Sequence, residues 1–298
     1  MFNGFTNHRI TTPDGIEIFA RSAGHGPAVL LLHGYPQTHA CWHRVAPGLV
    51  DAGFAVVVSD LRGYGRSAKP ADSADHAVYS KRAMAADQVA LMAALGYPRF
   101  MVAGHDRGGR VALRMARDHP DAVARLAVLD IAPTNQMYAA TDMEFATAYY
   151  HWFFLIQPAP LPERMIGADP EFFLRQKLGH WSRRTGPIFD DAAVADYLRA
   201  FSDPACIAAT CADYRAAASV DLEHDAADAG QRLEMPVLAL WGERGFVGRS
   251  FDVTDCWRRV ARDVRGHAVP HGHFLPEEAP AETLAALRDF FAQAPASA

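Results

Sequence analysis

The chain is short of cysteine, of clustered positive charge and of long apolar runs, and each shortage closes off a class of function. Its four cysteines, Cys41, Cys206, Cys211 and Cys256, include no CxxC pair and are too few to frame a disulfide scaffold in 298 residues. Reduced, structural thiols are the expectation. A net charge of -5 with no basic run argues against nucleic acid or an anionic membrane surface as a partner. A small molecule is the better expectation. No stretch reaches the roughly 18 apolar residues of a membrane span, and Met1 to Arg9 lacks the basic-then-apolar pattern of a secretory signal. The expected location is the cytoplasm. One more absence bears on chemistry. The pattern G-x-S-x-G occurs nowhere, which counts against a serine esterase or lipase.

What is present is a strand-helix rhythm that stops and then resumes. Arg9–Thr12 and Ile16–Ala20 flank Pro13-Asp14-Gly15, the pattern of a hairpin. Ala28–Leu32, Phe54–Ser59, Phe100–Gly104 and Leu126–Leu129 are short apolar runs of the kind buried on both faces of a parallel sheet. Between them, Trp42–Ala52, Arg82–Leu95 and Val111–Arg117 read as helices. From Thr134 to about Leu222 no strand-like run appears. Aromatic-rich helical segments such as Phe145–Ile156 and Ala192–Phe201 are separated by Pro158, Pro160, Pro162, Pro170, Pro187 and Pro204. The rhythm then returns with strands at Pro236–Trp241 and Val264–Val269 and helices at Thr254–Val260 and Ala281–Phe291. The tail from Gln293 is expected to be disordered. Strands alternating with helices predict an α/β architecture, a mostly parallel twisted sheet with helices on both faces. Residues 1–134 and 223–298 form its core, and 135–222 an inserted helical cap.

In such sheets the chemistry gathers at the carboxyl ends of the strands. The stretch Gly104-His105-Asp106-Arg107-Gly108 has the layout of a nucleophile elbow, with glycines flanking a strained residue between strand and helix. Here the exposed position is a carboxylate. A carboxylate in that place attacks carbon and forms an ester. Asp106 is therefore the candidate nucleophile, with an acid and a base to follow in chain order. Position leaves Asp130 and Glu243 open as the acid, and His273 and His271 as the base. Arg107 and Arg110 stand in the first turn of a helix, where cations oppose the macrodipole. That local violation points to a bound anion. Three residues apart, the two guanidiniums can share a face and clamp a carboxylate.

Several motifs together resemble the haloacetate dehalogenases of the α/β-hydrolase superfamily. They are His33-Gly-Tyr-Pro-Gln-Thr-His39, Asp60-Leu-Arg-Gly-Tyr-Gly65, Gly104-His-Asp-Arg-Gly-Gly-Arg110, Leu129-Asp-Ile-Ala-Pro133, Tyr150-His-Trp152, Asp213-Tyr-Arg215 and Gly272-His-Phe-Leu-Pro-Glu-Glu278. The likeness runs from about residue 8 to about residue 292. It implies that Asp106 displaces halide from a haloacetate such as fluoroacetate or chloroacetate, and that His273, oriented by Asp130, activates water to hydrolyse the ester. By the same resemblance Arg107 and Arg110 hold the substrate carboxylate. His151, Trp152 and Tyr214 donate to the departing halide, and the backbone N–H groups of Tyr35 and Arg107 form an oxyanion hole. His33 and Trp181 are expected as pocket walls. No cofactor or metal is implied, the only partner is the small haloacid, and a homodimer is expected by family analogy. Tyr35 stands where the family often has Phe, His271 where a small or thiol residue is common, and Glu243-Arg244 where the pair is less charged. These departures bear on pocket polarity and so on substrate preference. The competing functions are an epoxide hydrolase, which also uses an elbow Asp, and a non-catalytic ligand receptor on the same fold.

Overall fold

A computed structural model describes residues 1–182 and 188–293. Pro187 and the tail from residue 294 onward, both subjects of the sequence reading, lie outside the described residues. Eight strands form one sheet: β1 (Thr6–Thr11), β2 (Glu17–Ala23), β3 (Ala28–Leu32), β4 (Ala55–Ser59), β5 (Phe100–His105), β6 (Val123–Leu129), β7 (Val237–Gly242) and β8 (Val264–Val269). Their order is β1-β2-β4-β3-β5-β6-β7-β8. The β1–β2 and β2–β4 pairs are antiparallel and all others parallel. Every residue of β3, β4 and β5 is buried, as expected of central strands covered on both faces.

The order also explains the covering. The chain moves one way across the sheet from β3 to β4 and the other way from β4 to β5. Right-handed crossovers then place their helices on opposite faces. The first is α1 (Ala46–Asp51), and the second α2 (Lys81–Ala94), which packs beside α3 (Arg107–Asp118). The inserted helices are α4 (Thr134–Ala139), α5 (Met143–Ala148), α6 (Tyr150–Leu155), α7 (Leu161–Ala168), α8 (Pro170–Ser182), α9 (Asp191–Phe201), α10 (Pro204–Ala217) and α11 (Val220–Ala227). Four more close the chain: α12 (Phe246–Ser250), α13 (Val253–Arg258), α14 (Leu275–Glu278) and α15 (Pro280–Phe291).

Three helices differ from the sequence expectation. The apolar stripe from Trp42 does not make one helix: His39–Trp42 is a 3-10 turn and α1 starts only at Ala46. Pro47 is tolerated in a first turn, but its ring would clash with the carbonyl four residues back if the helix ran through it. The segment Phe145–Ile156 is two helices, because Tyr149 (φ -113°, ψ 34°) leaves the helical region between them. The stretch after β7 holds α12 as well as α13. No helix among the described residues is long and apolar enough to cross a membrane. All four cysteines are free and buried.

Candidate active site

The carboxyl ends of β3, β5, β6, β7 and β8 deliver the core half of the site. Between β5 and α3, Asp106 adopts φ 46° and ψ -115°, a conformation that non-glycine residues rarely hold. The turn closes because Gly104 and Gly108 touch: a Cβ on Gly104 would sit 2.4 Å from the Gly108 carbonyl carbon, and one on Gly108 2.5 Å from the His33 oxygen. Asp106 is 8% exposed. Its Oδ1 accepts the Tyr35 N–H at 2.9 Å, and Oδ2 accepts no hydrogen bond from a described residue. Burial favours the neutral acid, yet the charges around it, His273 first and then His105, Arg110 and Arg107, hold the pKa below its ordinary value. An ionised carboxylate thus has one oxygen pinned and the other available.

The base was open between two histidines, and the geometry separates them. The His273 Nδ1–H donates to Asp130 Oδ2 at 2.6 Å, both groups being buried. Because the carboxylate takes that proton, Nε2 carries the basic lone pair. Burial works against the imidazolium, but the Asp130 hydrogen bond and charge outweigh it and raise the His273 pKa. His271 turns instead to Glu282, 3.8 Å away. The acid separates in the same way: Asp130 Oδ1 also accepts the Gly242 N–H at 2.8 Å, whereas Glu243 is exposed. Two neighbours fix the loop further. His105 donates from Nε2 to the His273 carbonyl at 2.8 Å. Glu278 accepts the N–H groups of Gly272 and Phe274, at 2.9 and 2.8 Å, on either side of the base. Burial pushes its pKa to about 7.

The two arginines are buried beside Asp106, but they are not alike. The Arg107 guanidinium meets Asp213 of α10 through Nε (2.9 Å) and Nη2 (2.6 Å), and Nη2 also reaches the Asp213 carbonyl. Its Nη1 donates to no described residue, and its carbon lies 4.1 Å from the Tyr214 ring centroid. Asp213 also receives Lys81 and the Tyr64 hydroxyl. Burial would raise its pKa, but Arg107 and Lys81 hold it well below the usual carboxylate range. The sequence reading quoted Asp213 in a motif without giving it this partner. The available signal was one acid in Pro204–Ala217, a helix otherwise rich in Ala and mostly buried. Arg110 donates from Nη1 to Thr134 Oγ1 (2.7 Å) and to the Ala132 carbonyl (3.2 Å), lies over the Trp152 ring at 4.8 Å, and leaves a buried Nε without a partner.

The cap closes over this with a ring of aromatic groups. His151 of α6, Trp181 of α8, Tyr214 of α10 and Tyr35 of the core are all buried. Ring centroids lie 4.6 Å apart for His151–Trp181, 5.5 Å for His151–Tyr214 and 5.3 Å for Tyr35–Tyr214. His151 Nδ1, Trp181 Nε1 and the hydroxyls of Tyr214 and Tyr35 are buried without a hydrogen-bond partner. Unsatisfied polar groups inside a protein are rare and ask for an explanation. Burial, and then Lys177, keeps the His151 pKa well below its ordinary value, so its ring is neutral. Trp152 offers its face to Arg110 and packs against Tyr138 and Phe145. His33 spends both nitrogens on backbone, donating to the Gly34 carbonyl and accepting the Leu61 N–H. Tyr149, absent from the expected set, is buried near the charges of Asp130 and Asp106. A cavity of about 10 Å³ beside His273 is lined by Tyr149, His180, Trp181 and Phe246. The far larger groove of about 1240 Å³ lies at the amino ends of the strands, away from all of these residues.

This set can hold an anion next to an ionised nucleophile and present N–H and O–H donors to a departing group. Residues 27–280 match the alpha/beta hydrolase fold family. Over 99% of its length the chain is 45% identical to fluoroacetate dehalogenase of Burkholderia sp, covering 96% of that protein. It is 36% identical to the soluble epoxide hydrolase of Corynebacterium sp. (strain C12), over 98% of this chain and 96% of that one. The crystal structure of ALR0039 from Nostoc sp PCC 7120 superposes with a TM-score of 0.96 at 55% identity, covering 99% of this chain and all of the other.

Proposed function

The chain belongs to the alpha/beta hydrolase fold family, and from that premise we propose that it is a haloacetate dehalogenase, converting fluoroacetate or chloroacetate to glycolate and halide. The observation that carries this reading is the pair of buried guanidiniums, Arg107 and Arg110, beside an ionised elbow carboxylate. Two cations in the first turn of α3 oppose its dipole, and a carboxylate substrate accounts for them. Arg107 Nη1 and Arg110 Nε are the donors left for it.

In the first step Asp106 Oδ2 attacks the carbon bearing the halogen, the carbon–oxygen bond forms, and the bonding pair leaves with the halide. His151 and Tyr214, with Trp152 as the third group of the resemblance, receive it. Fluoride gives up a tight hydration shell, so donors in a water-excluded pocket have to replace it. Each bond to an ion contributes about 1.5–3 kcal/mol. In the second step His273 Nε2 takes a proton from water, and the hydroxide attacks Cγ of Asp106. Oδ1, already on the Tyr35 N–H, takes up the negative charge with the Arg107 N–H as the second donor. The imidazolium then protonates the departing glycolate oxygen, and Asp106 returns its proton to solvent. The cavity beside His273 is at the lower limit of the roughly 10–15 Å³ that one water needs.

An epoxide hydrolase is the second reading. Tyr149 and Tyr214 favour it, since both hydroxyls feel the Asp106 charge and a tyrosine pair suits an opening epoxide oxygen. Neutral epoxides, however, bring no anion to Arg107 Nη1 and Arg110 Nε. The deciding measurement is halide release from fluoroacetate and chloroacetate beside diol formation from a simple epoxide. Single turnover in heavy-oxygen water should leave label in the peptide holding Asp106. No halide from either acid sinks the dehalogenase reading, and diol formation would replace it with the epoxide one.

A further inference from the structure

Lys177 of α8 is 2% exposed and forms no ion pair with any described residue. Its Nζ is enclosed by aromatic faces, 3.6 Å from the Tyr150 centroid, 5.0 Å from Phe173 and 5.2 Å from Trp181. Such faces stabilise an ammonium, but they are only weak acceptors of its N–H groups. Burial lowers its pKa to about 7, with no carboxylate acting to restore it. A lysine taken out of water in this way normally has a carboxylate partner. Among the described residues the other buried lysine follows that pattern: Lys81 faces Asp213 and Asp221.

The position of this cation suggests its use. Trp181, four residues along α8, and His151, next in sequence to Tyr150, carry the unpartnered Nε1 and Nδ1 of the aromatic ring over Asp106. Of the charged groups acting on the His151 ring, Lys177 acts most strongly. On the other side Tyr150 is 45% exposed. Lys177 therefore stands between the buried donors and a residue that reaches solvent.

We propose that Lys177 is a second anion station behind His151 and Trp181, which holds a halide between the pocket over Asp106 and solvent. This rests on the dehalogenase reading for the identity of the anion, but not for its binding. The Lys177 N–H groups, which meet no oxygen or nitrogen of a described residue, supply the bonds, and the aromatic walls exclude water, which strengthens them. A fixed carboxylate partner would defeat the purpose by occupying the cation.

Chloride binding tests this without turnover. Sodium chloride is titrated into the full-length protein and followed by chloride NMR line broadening at constant ionic strength, for wild type, Lys177→Met and Lys177→Arg. The expected result is chloride affinity at least about tenfold weaker in Lys177→Met and within about threefold of wild type in Lys177→Arg. Unchanged affinity in Lys177→Met overturns the proposal. So does an equal loss in a folded Lys177→Arg, which would make the residue a packing element. If Lys177→Met does not fold, Lys177→Gln takes its place under the same criteria. A protein that releases no halide from haloacetates yet keeps Lys177-dependent chloride binding would refute the substrate reading and leave this site standing.

Discussion

The two halves of the site are finished to different degrees. On the core side the nucleophile, the base and the loop that carries the base are tied down: Asp106 Oδ1 on Tyr35, His273 on Asp130, Asp130 on Gly242, and the His273 loop on His105 and Glu278, with Arg110 Nε and the Tyr35 hydroxyl left over. On the cap side the atoms facing inward, His151 Nδ1, Trp181 Nε1 and Tyr214 Oη, have none. Partnered groups hold their geometry before substrate arrives, which is what bond making requires. Unpartnered donors are costly at rest, and they repay that cost only when an anion forms among them. On the proposed reading the core half serves attack and hydrolysis, and the cap half receives what leaves.

The sharpest break between the halves is His273→Asn. It should leave the first chemical step and abolish the second, so turnover falls by about 10⁴-fold or more. Intact-protein mass after exposure to chloroacetate should rise by one carboxymethyl group. A persistent adduct in His271→Asn instead would move the base to the other histidine.

Asp213→Asn attacks a place where the halves are bolted together, since a cap carboxylate there orients a core arginine. Losing it leaves Arg107 a buried cation without its carboxylate and Lys81 with Asp221 alone, at a cost of about 3–5 kcal/mol in stability. Catalytic efficiency should drop about 10²-fold through a misplaced Arg107. Urea denaturation and steady-state kinetics measure both. Wild-type values in each would mean that Asp213 neither supports Arg107 nor joins the halves.

How much of this could be read in the sequence follows the same division. The strand β3 was legible to the residue, because a short apolar run between turn signals has few alternatives. The order Asp106, Asp130, His273 was legible because strand ends carry the chemistry. Position alone left Glu243 open beside Asp130; the resemblance favoured Asp130, and its hydrogen bond to His273 gives the physical reason. The cap was harder. Its helices are short and broken at prolines and at Tyr149, so a 3.6-residue period has little length in which to show. Partners such as Asp213 for Arg107, 106 residues apart, leave no local trace. Lys177 carries no motif in the sequence, and only its aromatic neighbours in three dimensions set it apart.

Tyr214→Phe sharpens the comparison from the cap side. The ring and its contacts stay, and one O–H aimed at the leaving group is lost. Removing it should cost about 1.5 kcal/mol, roughly tenfold in kcat, with fluoroacetate. Bromoacetate should lose much less, because bromide departs with a looser hydration shell. Equal losses for both acids would show that the hydroxyl positions substrate and does not receive halide.

The smallest effect belongs to the core. Glu278 touches no reacting atom, but its carboxylate holds the amides on both sides of His273 and its charge helps to raise the His273 pKa. Hydrolysis needs His273 neutral, so the rate should rise with pH through a midpoint above that of free imidazole, about 6.5. In Glu278→Gln the charge is gone, the imidazolium is less favoured, and the midpoint should move down. Activity at acidic pH would then fall off later than in wild type, even as the plateau drops a few-fold from the loosened loop. Asp130→Asn should move the midpoint the same way and further, since Asp130 makes the direct hydrogen bond. The check is the pH dependence of ester hydrolysis in single turnover for all three proteins. A midpoint unmoved in both variants would mean that the acid limb belongs to another group, and that the partnered state of the core half fixes geometry without tuning the base.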